Sequence, residues 1–178
     1  YSPDLMADVL HALHKDYAAL SLIMVGPDKK DGSKEKFLEK IAKYDLEEFV
    51  EITGAVSKDK VPEYLNRGNL FVNTTKIESF GVSVLEAGAC GLPIVTSDAG
   101  ELPFFWEDGE DALIVSVGDV DGFVTAIRRI LEDPGLAGKL SSNARKKAEQ
   151  FDWSVVLPQW EQLFLELASE QGDNDGGI

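Results

Sequence analysis

Two glutamates, Glu78 and Glu86, bracket a glycine and the start of a helical pattern in Glu78-Ser79-Phe80-Gly81-Val82-Ser83-Val84-Leu85-Glu86. Residues 82–90 carry that pattern, and Gly91 and Pro93 close it. Glu78 therefore sits in the loop before a helix. Glu86 sits on the helix, one turn beyond Val82 and on the same face. A helix N-terminus presents free N–H groups, here those of Phe80, Gly81 and Val82, to phosphate or sugar oxygens. Gly81 lets a ligand approach the backbone closely. Glu86 can take two vicinal hydroxyls, as acidic residues take ribose in dinucleotide folds. Glu78 can take hydroxyls of a second sugar beyond the phosphates. The set suits a nucleoside diphosphate sugar; a glutamate pair at this spacing is otherwise an ordinary solvated face.

These residues need elements to position them. Residues 70–73 before the motif and 93–96 after it are short apolar runs that read as buried strands. Strand, loop, helix and strand make a right-handed parallel crossover, whose functional loop lies at the carboxyl end of a strand. Further strands are expected at 20–25, ending at Gly26, at 49–53, ending at Gly54, and at 112–117. Helices are expected at 5–18 with Ser2 or Asp4 as cap, and at 33–44. A third is expected at 57–67 with Ser57 as cap. Beyond the motif they are expected at 101–106, 119–131, 134–150 and, capped by Asp152, at 153–167. Short apolar strands alternating with helices predict an α/β chain with a doubly wound, Rossmann-like parallel sheet. Residues 172–177 read as a polar, disordered tail.

Acidic residues outnumber basic ones, 32 to 17, for a formal net charge of −15. That argues against nucleic acid or an anionic membrane surface as main partner, and it opposes a phosphate-bearing ligand as well. One cysteine excludes an internal disulfide, and with two histidines no metal cluster is expected. No apolar run approaches the length of a bilayer span and no signal peptide is visible, so a cytoplasmic location is expected. The chain opens on Tyr1-Ser2-Pro3-Asp4 rather than Met and reads as a fragment of a longer protein.

The stretch from Glu78 to Val95, with Cys90-Gly91-Leu92-Pro93 inside it and Ser97-Asp98-Ala99-Gly100 after it, resembles the signature of the group 1 (GT4-type) retaining glycosyltransferases of the GT-B fold. The resemblance covers nearly the whole chain. It implies the C-terminal, donor-binding lobe, with residues 1–151 as the nucleotide-sugar-binding domain, 152–170 as a helix crossing back to the acceptor lobe and 171–178 as tail. It implies a hexose moved from a nucleotide sugar to a hydroxyl acceptor with retained configuration. It implies no metal or other cofactor. Glu86 would bind the donor ribose. Glu78, as the catalytic-site carboxylate, would hold the transferred sugar with Ser79 and the Phe80-Gly81-Val82 amides. The loop Gly54-Ala55-Val56, and Gly26, would line the base. Two features of the family are absent: a first strand carrying Gly-Arg and a following Lys, which neutralise the diphosphate, and the acceptor lobe. The usual Gly-Gly pair is here Gly100-Glu101. A sugar-nucleotide epimerase of the same fold and a non-catalytic nucleotide-binding module are the alternatives.

The remaining conspicuous residues read as structural. His11 and His14 are expected on the surface of the first helix, and Cys90 in the core behind the motif helix. Trp106, Trp153 and Trp160 are expected to pack. Asp119 and Asp121 are expected to serve a helix start. Lys76 is the one basic residue beside the motif and reads as solvated.

Overall fold

The computed structural model describes residues 2–174. Five parallel strands carry the fold: β1 (Leu22–Val25), β2 (Val50–Gly54), β3 (Phe71–Asn73), β4 (Ile94–Ser97) and β5 (Leu113–Val115). Around them lie α1 (Pro3–His14), α2 (Ser33–Lys43), α3 (Val61–Leu65), α4 (Val82–Ala89), α5 (Leu102–Phe105), α6 (Val120–Glu132), α7 (Pro134–Glu149) and α8 (Trp153–Asn174). The expected single sheet is hydrogen-bonded as two ladders, β1–β2 and β3–β4–β5.

Neighbouring strand residues serve opposite faces, as a sheet covered on both sides requires. Ile94 joins Val84, Ala87, Leu102 and Trp106, from the loop and helices on one face. Val95 joins Leu5, Val9 and Leu13 of α1 with Phe123 and Ile127 of α6 on the other. Each such side chain contributes about 1.5–3 kcal/mol on leaving water. α1 also turns Ala7 and Leu10 toward Phe37 and Ile41 of α2, beside Leu22 and Met24 of β1. One helix thus packs against both ladders.

Several boundaries differ from the sequence reading for identifiable reasons. The helix expected from residue 57 is a 3-10 turn, Lys58–Lys60, followed by the short α3. Pro62 has no N–H to give a longer α-helix and its ring clashes with the preceding turn. Ser57 and Ser2 make no side-chain cap bond, whereas Asp119 and Asp133 accept the N–H groups of Gly122 and Leu136. Asp152 accepts from Ser154 N at 2.8 Å, as expected of a cap. α8 runs on through Asn174, so residues 172–174 of the expected tail are helical. Residues 175–178 lie outside the described residues. Trp106 is buried, but Trp153 and Trp160 are 76% and 50% exposed, because α8 turns a row of large apolar side chains to solvent. Among the described residues, no helix is long and apolar enough to cross a membrane.

His11 and His14 are half-buried rather than on the surface. His11 stacks on Tyr44 at 4.1 Å between ring centroids, and His14 Nε2 lies 2.9 Å from Leu20 O. The same α1–α2 seam holds a clamp on Asp8, which accepts from Lys40 Nζ at 2.6 Å and from the Tyr44 hydroxyl at 2.8 Å. The Asp8 hydrogen bond raises the Lys40 pKa above its ordinary value. Asp8→Ala removes two partners at once and is expected to cost about 1–2 kcal/mol, part of the charge-assisted bonding being screened by solvent. A folded pKa above the unfolded one means this contribution is complete below the unfolded lysine value and fades as pH rises through the folded one. Urea titrations of parent and variant at pH 7 should therefore differ, and the difference should shrink above about pH 10.5. A gap unchanged at about pH 11.5 would assign the effect to something other than the ion pair.

Candidate functional site

The loop from Asn73 to Gly81 leaves the carboxyl end of β3 and enters α4. Gly81 is the N-cap, at φ +80° in the left-handed region. A Cβ there would fall 2.7 Å from Leu102 Cδ2 and 3.3 Å from Val84 Cγ2. The fold itself therefore demands this glycine, and a branched side chain would be rejected with or without a ligand. No side chain caps α4. Among the described residues, no acceptor bonds the N–H groups of Phe80, Gly81 and Val82. The helix thus ends in bare donors with the positive end of its dipole. Val82 is exposed, and the Phe80 ring packs on Phe105 and Phe151 at 5.2 and 5.6 Å.

Glu78 is half-buried, and its Oε1 accepts from Ser79 N at 3.0 Å. Glu86 is half-buried on α4, and its carboxylate has no hydrogen-bond or ion-pair partner among the described residues. Behind the helix, Gly88 lets α4 approach α7. A Cβ on it would lie 3.1 Å from Ala144 O and 3.3 Å from the Trp106 ring. Cys90 is half-buried rather than in the core. Burial pushes its thiol pKa up, with Arg145 opposing.

The other predicted residues come together in a second group. Gly26 N donates to Gly54 O at 3.1 Å, so the ends of β1 and β2 are tied side by side. Both glycines have positive φ, +142° and +69°, and nothing lies within 4 Å of where their Cβ would be. Ala55 beside them is exposed and Val56 half-buried. Open backbone at two adjacent strand ends is room for a flat ring. No hydrogen bond or ion pair among the described residues joins this group to the Glu78–Glu86 group.

Two contacts of the site were not legible in the sequence. The loop after β4 lies against the Glu78 loop. Gly100, at φ +56°, sits so close that a Cβ would be 1.8 Å from Glu78 O. Ser97 Oγ donates to Thr75 O at 2.6 Å. A run of small polar residues at adjacent strand ends, Asn73-Thr74-Thr75 and Thr96-Ser97, was the available signal. A cleft of about 600 Å³ lies between α5, residues 106–108 and Lys147 of α7, another of about 360 Å³ lies beside β5 and α6, and no candidate residue lines either. Lys76 is exposed, without an ion pair among the described residues. No three His, Cys, Asp or Glu side chains converge as metal ligands among the described residues.

The model of the family described as "Glycosyl transferases group 1" matches residues 2–147. The D-inositol 3-phosphate glycosyltransferase of Streptomyces bingchenggensis is 28% identical over 171 residues, which are 93% of this chain and 38% of that one. Sucrose-phosphate synthase of Thermosynechococcus elongatus superposes with a TM-score of 0.79 at 28% identity, over 92% of this chain and 42% of that one. Two less identical structures share the fold. One is the C-terminal domain of a group 1 family glycosyl transferase from Francisella tularensis, with a TM-score of 0.75 at 17% identity, over 83% of this chain and 77% of that one. The other is Anabaena HepE in complex with UDP, with a TM-score of 0.82 at 23% identity, over 91% and 44%. The expected Rossmann-like lobe of a GT-B enzyme is thus the fold observed, and the chain spans between 14% and 39% of the length of the curated relatives it matches. The chain belongs to the group 1 glycosyl transferases.

Proposed function

We propose that this chain is the donor-binding lobe of a two-lobed enzyme that moves a hexose from a nucleotide sugar to a hydroxyl acceptor with retention of configuration. The observation that carries this reading is the uncapped start of α4, with the bare amides of Phe80, Gly81 and Val82 set between Glu78 and the partnerless Glu86. The diphosphate sits at the helix N-terminus, where amides and dipole offset the charge that builds on it as the sugar leaves. Glu86 holds the ribose hydroxyls. Glu78 and Ser79 hold the transferred hexose. Gly26, Gly54, Ala55 and Val56 line the base. The reading assigns no metal and a cytoplasmic setting.

The acceptor lobe supplies the opposing wall of the donor site. The exposed apolar side chains of α8 are the contact that reaches it. Binding of UDP by a protein of the same fold, Anabaena HepE, supports a nucleotide ligand.

With a formal net charge of −15 the lobe alone should bind a diphosphate weakly, at about high-micromolar Kd or worse. The test is a titration of the 15N-labelled chain with UDP-glucose, ADP-glucose and GDP-mannose. One of them should shift the amides of Phe80, Gly81 and Val82 together with those of Gly26 and Gly54, more at low salt. Silence at those amides with all three donors at millimolar concentration would sink the donor-lobe reading.

A further inference from the structure

The carboxylate assigned to the sugar, Glu78, lies on a loop with no regular structure of its own, so something else must hold it. Thr75, fully buried, is the anchor. Its N–H donates to Asn73 Oδ1 at 3.0 Å, its carbonyl accepts from Ser97 Oγ at 2.6 Å, and its hydroxyl donates to Ile77 O at 2.8 Å. The last of these reaches the residue before Glu78. Asn73 and Ser97 are themselves buried, and they stand at the carboxyl ends of adjacent strands, where Asn73 pairs in register with Thr96. The bonds to Asn73 and from Ser97 are buried and hold Thr75 firmly, because leaving either unmade would strand a desolvated group, and the part-buried bond to Ile77 O passes that placement on to the Glu78 loop. The end of β4 and the loop after it thus touch the Glu78 loop twice, through Ser97 at Thr75 and through Gly100 at Glu78.

We propose that Ser97 is a positioning residue of the transferase. Through Thr75 it sets the Glu78 carboxylate against the hexose, while the α4 amides and Glu86 hold the nucleotide independently of it. This rests on the donor-site reading and deepens it: the loop after β4 controls the sugar end of the site and leaves the nucleotide end alone. Ser97 touches no substrate. Its effect passes wholly through Glu78.

The experiment uses the two-lobed enzyme and its donor. Ser97→Ala should leave the Kd for the bare nucleoside diphosphate within twofold and lower kcat ten- to a hundredfold. Ser97→Thr, which keeps the hydroxyl, should recover activity to within about threefold. The decisive arm is the pair with Glu78→Gln. Added to that variant, Ser97→Ala should cause less than a threefold further loss, since residues acting as one unit are not additive. Full multiplication of the two losses, or an equal loss of nucleotide affinity, would overturn the proposal. If Ser97→Ala fails to fold, Ser97→Cys, which keeps the space filled but offers Thr75 O only a weak S–H donor, carries the same comparison, with Ser97→Thr as its rescue. Failure of the donor-site reading looks different: the parent enzyme itself would bind no nucleotide through α4.

Discussion

Gly100→Ala is expected to cost roughly 3 kcal/mol or more of folding stability, the largest effect of a methyl added at any glycine for which the contacts are described. Two causes combine. Gly100 stands at φ +56°, which costs an L side chain about 1 kcal/mol or more. Its Cβ would also fall 1.8 Å from Glu78 O and 2.9 Å from Glu78 C, on backbone that cannot swing aside as the tip of a side chain can. Either the β4 loop or the Glu78 loop must move, and with it the Ser97–Thr75 bond. Gly109→Ala separates the two causes, since Gly109 has φ +76° with nothing within 4 Å of its Cβ. It bears the strain without the collision. In urea, with a slope of about 2 kcal/mol per molar, Gly100→Ala should move the midpoint down by more than about 1 M and Gly109→Ala by about half that or less. Equal shifts would mean that the two loops are not held together as described. In the proposed two-lobed enzyme the same Gly100→Ala should abolish turnover, because Glu78 would be displaced.

The second large effect separates the two carboxylates. Glu86→Gln keeps the size and one acceptor oxygen but loses charge-assisted bonding to hydroxyls, worth about 1.5–3 kcal/mol. It should weaken the native nucleoside diphosphate roughly ten- to a hundredfold and shrink the preference for ribo- over 2′-deoxyribonucleotide. The Glu86 carboxylate has no hydrogen-bond or ion-pair partner among the described residues, so its loss should leave the urea midpoint nearly unmoved, and any change in binding belongs to the ligand. Glu78→Gln retains an oxygen for Ser79 N and should leave the bare diphosphate's affinity nearly unchanged. Its damage should fall on the intact nucleotide sugar, chiefly on kcat, since contacts that tighten at the transition state act there. Opposite patterns across nucleotide and nucleotide sugar are the expected result, read by calorimetry and by turnover. If both variants weaken the bare nucleotide alike, the division of roles is wrong. If neither does, the start of α4 is not the donor site.

Much of this was legible in the sequence because it is local. Whether a residue serves one face of a sheet or the other follows from its immediate neighbours, so the apolar run around Ile94 and Val95 is enough to place both in buried strand. The order Glu78, loop, helix, Glu86 is likewise written in one short stretch, with Gly91 and Pro93 closing the helix. Asp119 and Asp152 as caps are decisions within one turn. Tertiary structure alone decided the rest. Ser97 meets Thr75, 22 residues earlier, only because β3 and β4 pair in a register that sets their ends level. Gly100 is intolerant because that same register lays one loop on the other. Gly81 is intolerant because α5 brings Leu102 beneath it, a cause that no local pattern could distinguish from a ligand's approach. His11 joins Tyr44 because α1 and α2 pack side by side, while Trp153 and Trp160 stay exposed because α8 leaves the sheet. Periodicity says which side chains leave water. Which of them meet is set by strand register and helix packing, and those sum contacts along the whole chain.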